Sequence, residues 1–298
     1  MPAADRPWAQ EAGGWRWRGA APIRHPALAR VVRRCHGGLV FGDAKAYERF
    51  MGRWSAQLAP LFLDAVDLPG PSRVLDVGTG TGNLARAVAQ RWPDCAVVGV
   101  DPSVAFVEAA RERAARFASR VRFEVGEAGD LPLDDGSVDA ALALLVLNFV
   151  PDADRAVAQM RRVTRPGGVL AAAVWDYGRR MGMLRTLWDA AARLDPTVVG
   201  RRDEATMPVG RPGGLLDLWQ RSDLEDVDGS RVTVTTDFVD FDDYWEPFLA
   251  GQGPAGAYVA GLPDAARAAL RDEVARTLGP GPFDLSATAW WVRGTVPA

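Results

Sequence analysis

Between residues 73 and 175 the chain alternates short apolar runs with segments of helical periodicity, and few architectures accept such a pattern. "SRVLDV" is predicted as a buried strand, "NLARAVAQRW" as a helix and "AVVGV" as a second strand. "SVAFVEAARERAARFA" then reads as a helix opened by the N-cap Ser103, with "VRFEV" as a third strand. "DAALALLVL" is apolar almost throughout, as expected of a strand covered on both faces. "DADRAVAQMRRV" follows as a helix, and "GGVLAAAVW" closes a fifth unit after the turn at Pro166, Gly167 and Gly168. Strands separated by helices at this spacing specify a parallel sheet with right-handed crossovers and helices on both faces.

Beyond residue 175 the register loosens. "MLRTLWDAAARL", "PGGLLDLWQRS", "FDDYWEPFLAG" and "PDAARAALRDEVARTL" read as helices, and "LEDVDGSRVTVTT" and "DLSATAWWVRGTV" as strands. The expected fold is therefore α/β, a doubly wound, Rossmann-like, seven-stranded and mostly parallel sheet. A small helical cap would come from insertions at about residues 178–210 and 238–280. The domain would run from residue 43 to 298, starting with the helical stretch "AYERFMGRWSAQLAPLFLDAV". Residues 1–42 carry an excess of arginine and interspersed Pro, Gly and Trp, and read either as a disordered extension or as a lid using Trp15, Trp17, His25 and His36.

Composition excludes some functions. A formal net charge of −3 does not favour nucleic acid or a membrane surface. Cys35 and Cys95 match no zinc spacing and build no disulfide framework, which fits a reducing, cytoplasmic setting. No apolar run approaches the roughly 18 residues of a membrane helix.

Ligands of open parallel sheets bind beyond the carboxyl ends of the strands, so the loop in "RVLDVGTGTGN" marks the expected site. Its glycines, Gly78, Gly80 and Gly82, let backbone approach a ligand, and the following helix offers free N–H groups. A dinucleotide fingerprint would need glycine at position 83, where Asn83 stands, and no Gly-Lys-Ser/Thr follows to make a P-loop. Asp76, two residues before the first glycine, would repel a pyrophosphate and suits a ligand with a cationic group at that end.

"VLDVGTGTG", "VVGVDPS", "GEAGDLPLDDGSVDAAL", "LNFVPD" and "RRVTRPGG" resemble, in order, the motifs of class I S-adenosylmethionine-dependent methyltransferases. The subgroup resembled is the small-molecule one that includes the ubiquinone/menaquinone C-methyltransferases. The resemblance implies S-adenosyl-L-methionine as cofactor. Gly78 and Gly80 would line its methionine part with Asp76 supporting the loop, and Asp101 would accept the ribose hydroxyls. Pro102 and Ser103 would border the adenine, Glu127 would meet its amino group, and the Ala128 backbone would face the ring. Glu127 stands where the family usually has aspartate, and Thr79 where it commonly has cysteine. Leu144 would lie beneath the cofactor; Tyr47 would cap the sulfonium and Arg53 pair with the methionine carboxylate, while Trp54 reads as core.

Methyl transfer from a sulfonium is an in-line displacement, for which a protein mainly aligns the acceptor and excludes water. Asn148, Phe149 and Tyr177 are the expected acceptor contacts, Asp176 lies beside them, and His36, with His25, is the candidate base. Trp175, Tyr177, Met181, Met183, Tyr244, Trp245 and Phe248 would roof a pocket for a planar or lipophilic molecule, or else pack the insertions. The reading is a methyltransferase acting on a small aromatic or heterocyclic metabolite, without metal. Its partners would be that methyl acceptor and a second copy in a homodimer, with neither nucleic acid nor membrane. The rivals are a non-catalytic S-adenosylmethionine-binding module, a nicotinamide-dependent oxidoreductase and an RNA methyltransferase.

Overall fold

The structure is a computed structural model that describes residues 43–201 and 207–298, with side chains of 199–201 left out. The expected tail or lid of residues 1–42, including Trp15, Trp17, His25 and His36, lies outside the described residues.

The described residues form one seven-stranded sheet in the order β3-β2-β1-β4-β5-β7-β6. Its strands are β1 (Arg73–Val77), β2 (Ala96–Asp101), β3 (Val121–Val125), β4 (Val138–Leu144), β5 (Thr164–Trp175), β6 (Glu225–Phe238) and β7 (Phe283–Thr295). The first five run parallel, and β7 lies between β5 and β6, antiparallel to both. The strand order reverses between β1 and β4, the switch point at which open α/β sheets take ligands.

Side-chain alternation explains the two-sided cover. Along β5, Val169, Ala171, Ala173 and Trp175 enter one core, and Leu170, Ala172 and Val174 enter the other. A period of two with apolar residues at every position demands cover on both faces. On the first face lie α1 (Ala44–Tyr47), continued through a π-helical turn (Glu48–Gly52) into α2 (Arg53–Val66), together with α3 (Asn83–Arg91) and α4 (Val104–Arg113). On the second lie α5 (Ala153–Val163) and α7 (Gly214–Gln220). Burial of each large aliphatic side chain contributes about 1.5–3 kcal/mol, so a slip of one residue in any central strand would be strongly disfavoured.

The segments expected as insertions contain α6 (Gly182–Leu194) with a 3-10 turn (Pro196–Arg201), and α8 (Phe241–Leu249), α9 (Gly253–Gly261) and α10 (Asp264–Leu278). Two details differ from the sequence reading. β5 begins at Thr164, paired with Val138, rather than after the glycine turn, and a register irregularity between Val138 and Ala140 absorbs Gly167 at φ +71°. The glycine-rich "GPAGAYVAG" forms α9, which lacks an apolar stripe and is held instead by packing of Ala255 and Val259 into the core.

Candidate active site

The loop after β1 is built by glycines that no other residue could replace at two levels. Gly78 has φ +66°, and a Cβ there would lie 2.2 Å from Val146 Cγ2, so both its conformation and its neighbour require glycine. Its N–H and that of Thr79 donate to the Val100 carbonyl at 2.7 and 3.0 Å, which pins the loop to the end of β2. At Gly80, with φ +53°, nothing lies within 4 Å of where a Cβ would stand, so this face of the loop is open.

Asp76 sits beneath that loop and is 1% exposed. One carboxylate oxygen, Oδ2, accepts both from the Thr79 hydroxyl at 2.7 Å and from the Ala85 N–H in the first turn of α3 at 3.0 Å. Burial pushes its pKa up to about 7, with those two hydrogen bonds opposing and Asp101 adding to the rise. Its influence on a ligand is thus through its field and the loop it holds.

Asp101 ends β2 and is 7% exposed. Its oxygens are used separately: Oδ1 accepts from the Ser103 N–H and Oδ2 from the Gly80 N–H, both at 2.9 Å. Burial raises this pKa as well, to about 6, against the two backbone donors. Two buried carboxylates side by side, each raised by desolvation, form a site whose ionised state a nearby cation would favour. Ser103 also caps α4, accepting from the Phe106 N–H at 3.4 Å, and Pro102 beside it is exposed.

Around this pair the structure brings a cluster that sequence reasoning missed. The Glu48 carboxylate, in the π-helical turn, accepts from the Thr81 hydroxyl and pairs with Arg113. It thereby lies over the amino end of α3, whose N-cap, Gly82, offers no side chain, and the helix dipole favours an acid there. A Cβ on Gly52 would come 2.5 Å from Glu48 Cδ, so Gly52 is what admits the carboxylate. Asn83 explains its own presence: its amide donates to Ser55 Oγ at 2.8 Å and to the Gly52 carbonyl at 3.3 Å, while its oxygen accepts from Arg113 at 2.8 Å. Asparagine at this position ties the N-terminal helix to the glycine loop. The Tyr-Glu-Arg-Phe-Met-Gly spacing was the available signal, since it places Glu48 and Gly52 one turn apart.

Tyr47 is half-buried against Phe106, with ring centroids 5.1 Å apart. Burial first, then the charges of Glu48 and Asp101, hold its hydroxyl well above the usual tyrosine range, which places it in the field of the same carboxylates. It also lines a narrow apolar cleft with Leu145, Phe149, Tyr177, Leu184 and Pro254. Phe149 and Tyr177 meet edge to face at 6.5 Å. Leu145 occupies the left-handed region at φ +64°, a conformation costly for a branched side chain and frequent where function over-determines the backbone. Asn148 is buried nearby; its amide donates to Met207 Sδ at 3.5 Å, and its Oδ1 has no donor among the described residues.

Other expected site residues stand elsewhere. The Arg53 guanidinium grips Asp243 at 2.9 and 3.2 Å and the Asp237 carbonyl at 2.7 Å, and lies 4.6 Å above the Phe238 ring. Here α8 supplies the acid that pairs with Arg53, in place of the expected ligand carboxylate. Leu144 is 8% exposed and turned into the first core, whereas its neighbour Leu145 reaches the cleft. Glu127 is exposed just past β3, with its carbonyl accepting from the Asp130 N–H at 3.0 Å, and Ala128 packs partly against the second core. Of the expected roof, Trp175, Met181, Met183, Tyr244, Trp245 and Phe248 are core residues, each no more than 3% exposed; Tyr177 alone lines the cleft. Tyr244 spends its hydroxyl on the Met183 carbonyl at 2.7 Å. Trp54, fully buried, is also core. Asp176 is buried and accepts from the Arg179 N–H at 3.0 Å, stabilising the turn after β5.

Comparison with known proteins agrees with this geometry. Residues 74–168 match the family described as methyltransferase domain. An uncharacterized methyltransferase of Mycobacterium tuberculosis is 37% identical over 172 residues, which are 57% of this chain and 65% of that one. A ubiquinone/menaquinone biosynthesis C-methyltransferase of Methylobacterium nodulans is 44% identical over 100 residues, 33% of this chain and 40% of its own. Among solved structures, the YcgJ protein of Bacillus subtilis superposes with a TM-score of 0.52 at 18% identity, over 80% of this chain and 98% of that one, and so shares the fold. The first curated relatives are matched over only 34% to 65% of their own length. The segment that carries the glycine loop, Asp76 and Asp101 is thus a methyltransferase domain of the class I, S-adenosylmethionine-dependent kind.

Proposed function

We propose that this protein binds S-adenosyl-L-methionine over the β1 and β2 carboxyl ends and methylates a small acceptor held between Tyr47, Phe149 and Tyr177. The observation that carries the reading is Asp101. A buried carboxylate at a strand end, with each oxygen receiving one backbone N–H, one of them from Gly80 on the open side of the loop, retains lone pairs for further donors. That suits a vicinal diol, which donates two hydroxyls to one carboxylate. The residues present fit the group in charge as well, since a ligand bearing ammonium and sulfonium would favour the ionised forms of Asp76 and Asp101, which burial disfavours.

The bound cofactor supplies a methyl group already activated on sulfur. The protein's part is alignment and exclusion of water. Gly78 and Gly80 hold the loop open on one side, and Tyr47 covers the other. Asn148 Oδ1, which lacks a donor among the described residues, is available to accept a hydrogen bond from an acceptor N–H or O–H. Phe149 and Tyr177 offer an aromatic corner for a planar ring. Glu127 and Ala128 would face the adenine. His36 remains the candidate base and lies outside the described residues.

The cleft between Tyr47 and Tyr177 has room of about 30 Å³, near that of one water. An aromatic or heterocyclic acceptor therefore requires α9 or the π-helical turn to move outward, and α9, with no side-chain cap and glycine at both ends, is the more weakly tied of the two. The experiment is a thermal-shift and calorimetric comparison of S-adenosylhomocysteine with NAD, followed by a methyl-transfer screen of planar small molecules. Stabilisation by NAD and not by S-adenosylhomocysteine would reject the reading.

A further inference from the structure

The loop after β5 parts two clefts. Tyr177 turns into the apolar one, while Arg179 and Arg180 line a separate cleft of about 470 Å³, bounded by α6, β7 and α10. Its walls carry Arg179, Arg180, Arg185 and Arg193 with the hydroxyls of Thr186, Thr277, Ser286 and Thr288.

The charges there are unbalanced. Arg185 pairs with Asp189 at 2.7 Å and donates to the Gly178 carbonyl at 3.3 Å. Arg193 pairs with Glu273 at 2.5 Å and donates to Thr277 Oγ1 at 2.9 Å, and Arg276 shares the same glutamate. Asp176 lies buried under the loop and is used by the Arg179 backbone. Arg179 and Arg180 have no acidic or hydrogen-bonding partner for their guanidinium groups among the described residues, and both are exposed. Four guanidinium groups thus face the cleft against the carboxylates of Asp189 and Glu273.

A third feature points the same way. α6 starts at the cleft wall with Gly182, and its N-cap Met181 provides no side-chain acceptor, so the positive end of a 13-residue helix is left for something else to satisfy. A Cβ on Gly182 would lie 2.6 Å from the Ser286 carbonyl, so only glycine lets the helix begin this close to β7. Two guanidinium groups without partners and an uncapped helix end around one concavity of ligand size are the chemistry of an oxyanion site.

We propose that this cleft binds a small polyanion, a phosphorylated or polycarboxylate metabolite, at a site separate from the cofactor site. Because Tyr177 and Arg179 share one short turn, occupancy bears directly on the acceptor cleft, either as an effector or as the anionic end of a long acceptor. The site does not depend on what the glycine loop binds.

The test is calorimetric titration of the full chain with pyrophosphate and, separately, with citrate, in low-salt buffer with and without saturating S-adenosylhomocysteine. One site per chain is expected for at least one of them, weakened at least tenfold by R179Q/R180Q and unchanged within twofold by R231Q, which removes a positive charge on exposed β6. Preference for pyrophosphate or for citrate assigns the ligand to the phosphorylated or the carboxylate class. S-adenosylhomocysteine affinity of R179Q/R180Q should remain within twofold of wild type, which separates this proposal from the cofactor reading. Absence of binding by both anions up to 10 mM (about the weakest useful metabolite affinity), displacement of the anion by S-adenosylhomocysteine, or equal weakening by R231Q would overturn it. Removal of two exposed, unpartnered side chains should leave the melting temperature intact, so a lost site would not reflect unfolding.

Discussion

Asp76→Asn separates the role of the buried carboxylate in the fold from its role toward a ligand. In the native protein both hydrogen bonds to this side chain, from Thr79 Oγ1 and the Ala85 N–H, end on the same oxygen. Asparagine can place its single oxygen there and keep both. What it removes is the penalty of ionising a carboxyl that is 1% exposed. The folded-state pKa of about 7 lies above the ordinary carboxylate value of 3.8. The carboxyl's contribution to stability is therefore full below about pH 4 and is lost as the pH rises through about 7. A rise of roughly three units corresponds to at most about 4 kcal/mol at pH 8, and partial relaxation reduces the expected gain on substitution to about 1–3 kcal/mol. For a chain of this size that is roughly 3–8 °C in melting temperature. Thermal melts of ligand-free wild type and variant from pH 4 to 8.5 should coincide near pH 4, diverge between pH 4 and 7 with the variant higher, and keep a constant difference above pH 7. A variant less stable than wild type at pH 8, or a difference that is flat with pH, would refute the reasoning. The same variant should bind S-adenosylmethionine more weakly, by about 1–2 kcal/mol, because the negative field under the loop is gone.

Asp101→Asn should behave differently, since its two oxygens serve different amides and asparagine must set its NH₂ against the N–H of Gly80 or Ser103; nucleoside affinity should fall about 10- to 100-fold by calorimetry, and a change under threefold would contradict the assignment. Gly52→Ala should expel Glu48 from the amino end of α3 and lower stability by about 1–3 kcal/mol in chemical denaturation, with equal midpoints for variant and wild type as the opposing result. Arg53→Ala should cost about 1–2 kcal/mol of stability and leave S-adenosylhomocysteine affinity unchanged, whereas lost affinity in a folded variant would restore its role at the ligand. Tyr177→Phe and Asn148→Ala should lower kcat with a screened acceptor at unaltered cofactor affinity, and full activity in both would remove them from contact with the acceptor.

How far the sequence speaks for itself depends on the range of the interaction. Strands β1, β2, β4 and β5 were legible because their apolar residues face two cores, and no other arrangement buries Val169 through Trp175; β3, at the sheet edge, was legible from its alternation. Asp101 and the glycines were legible because they are fixed by their places along one strand and one turn. What was not legible rests on partners distant in sequence or on backbone torsion. Arg53 finds Asp243, 190 residues away, and no local pattern announces that pair. The aromatic residues of the insertions were open to two readings, pocket roof or packing, because aromatic clusters suit both; Phe238, Phe241 and Tyr244 pack on one another. The place of Leu145 in the cleft had no local signal, because it turns on a positive φ that only the backbone displays. α9 escaped notice because its glycines are held by tertiary packing against propensity.

The most direct measurement is a crystal structure of the chain grown with S-adenosylhomocysteine. The account expects the ribose diol on the Asp101 carboxylate and the amino acid end over Gly78 and Gly80. A nucleoside bound elsewhere on the molecule, or a ribose out of reach of Asp101, would contradict it.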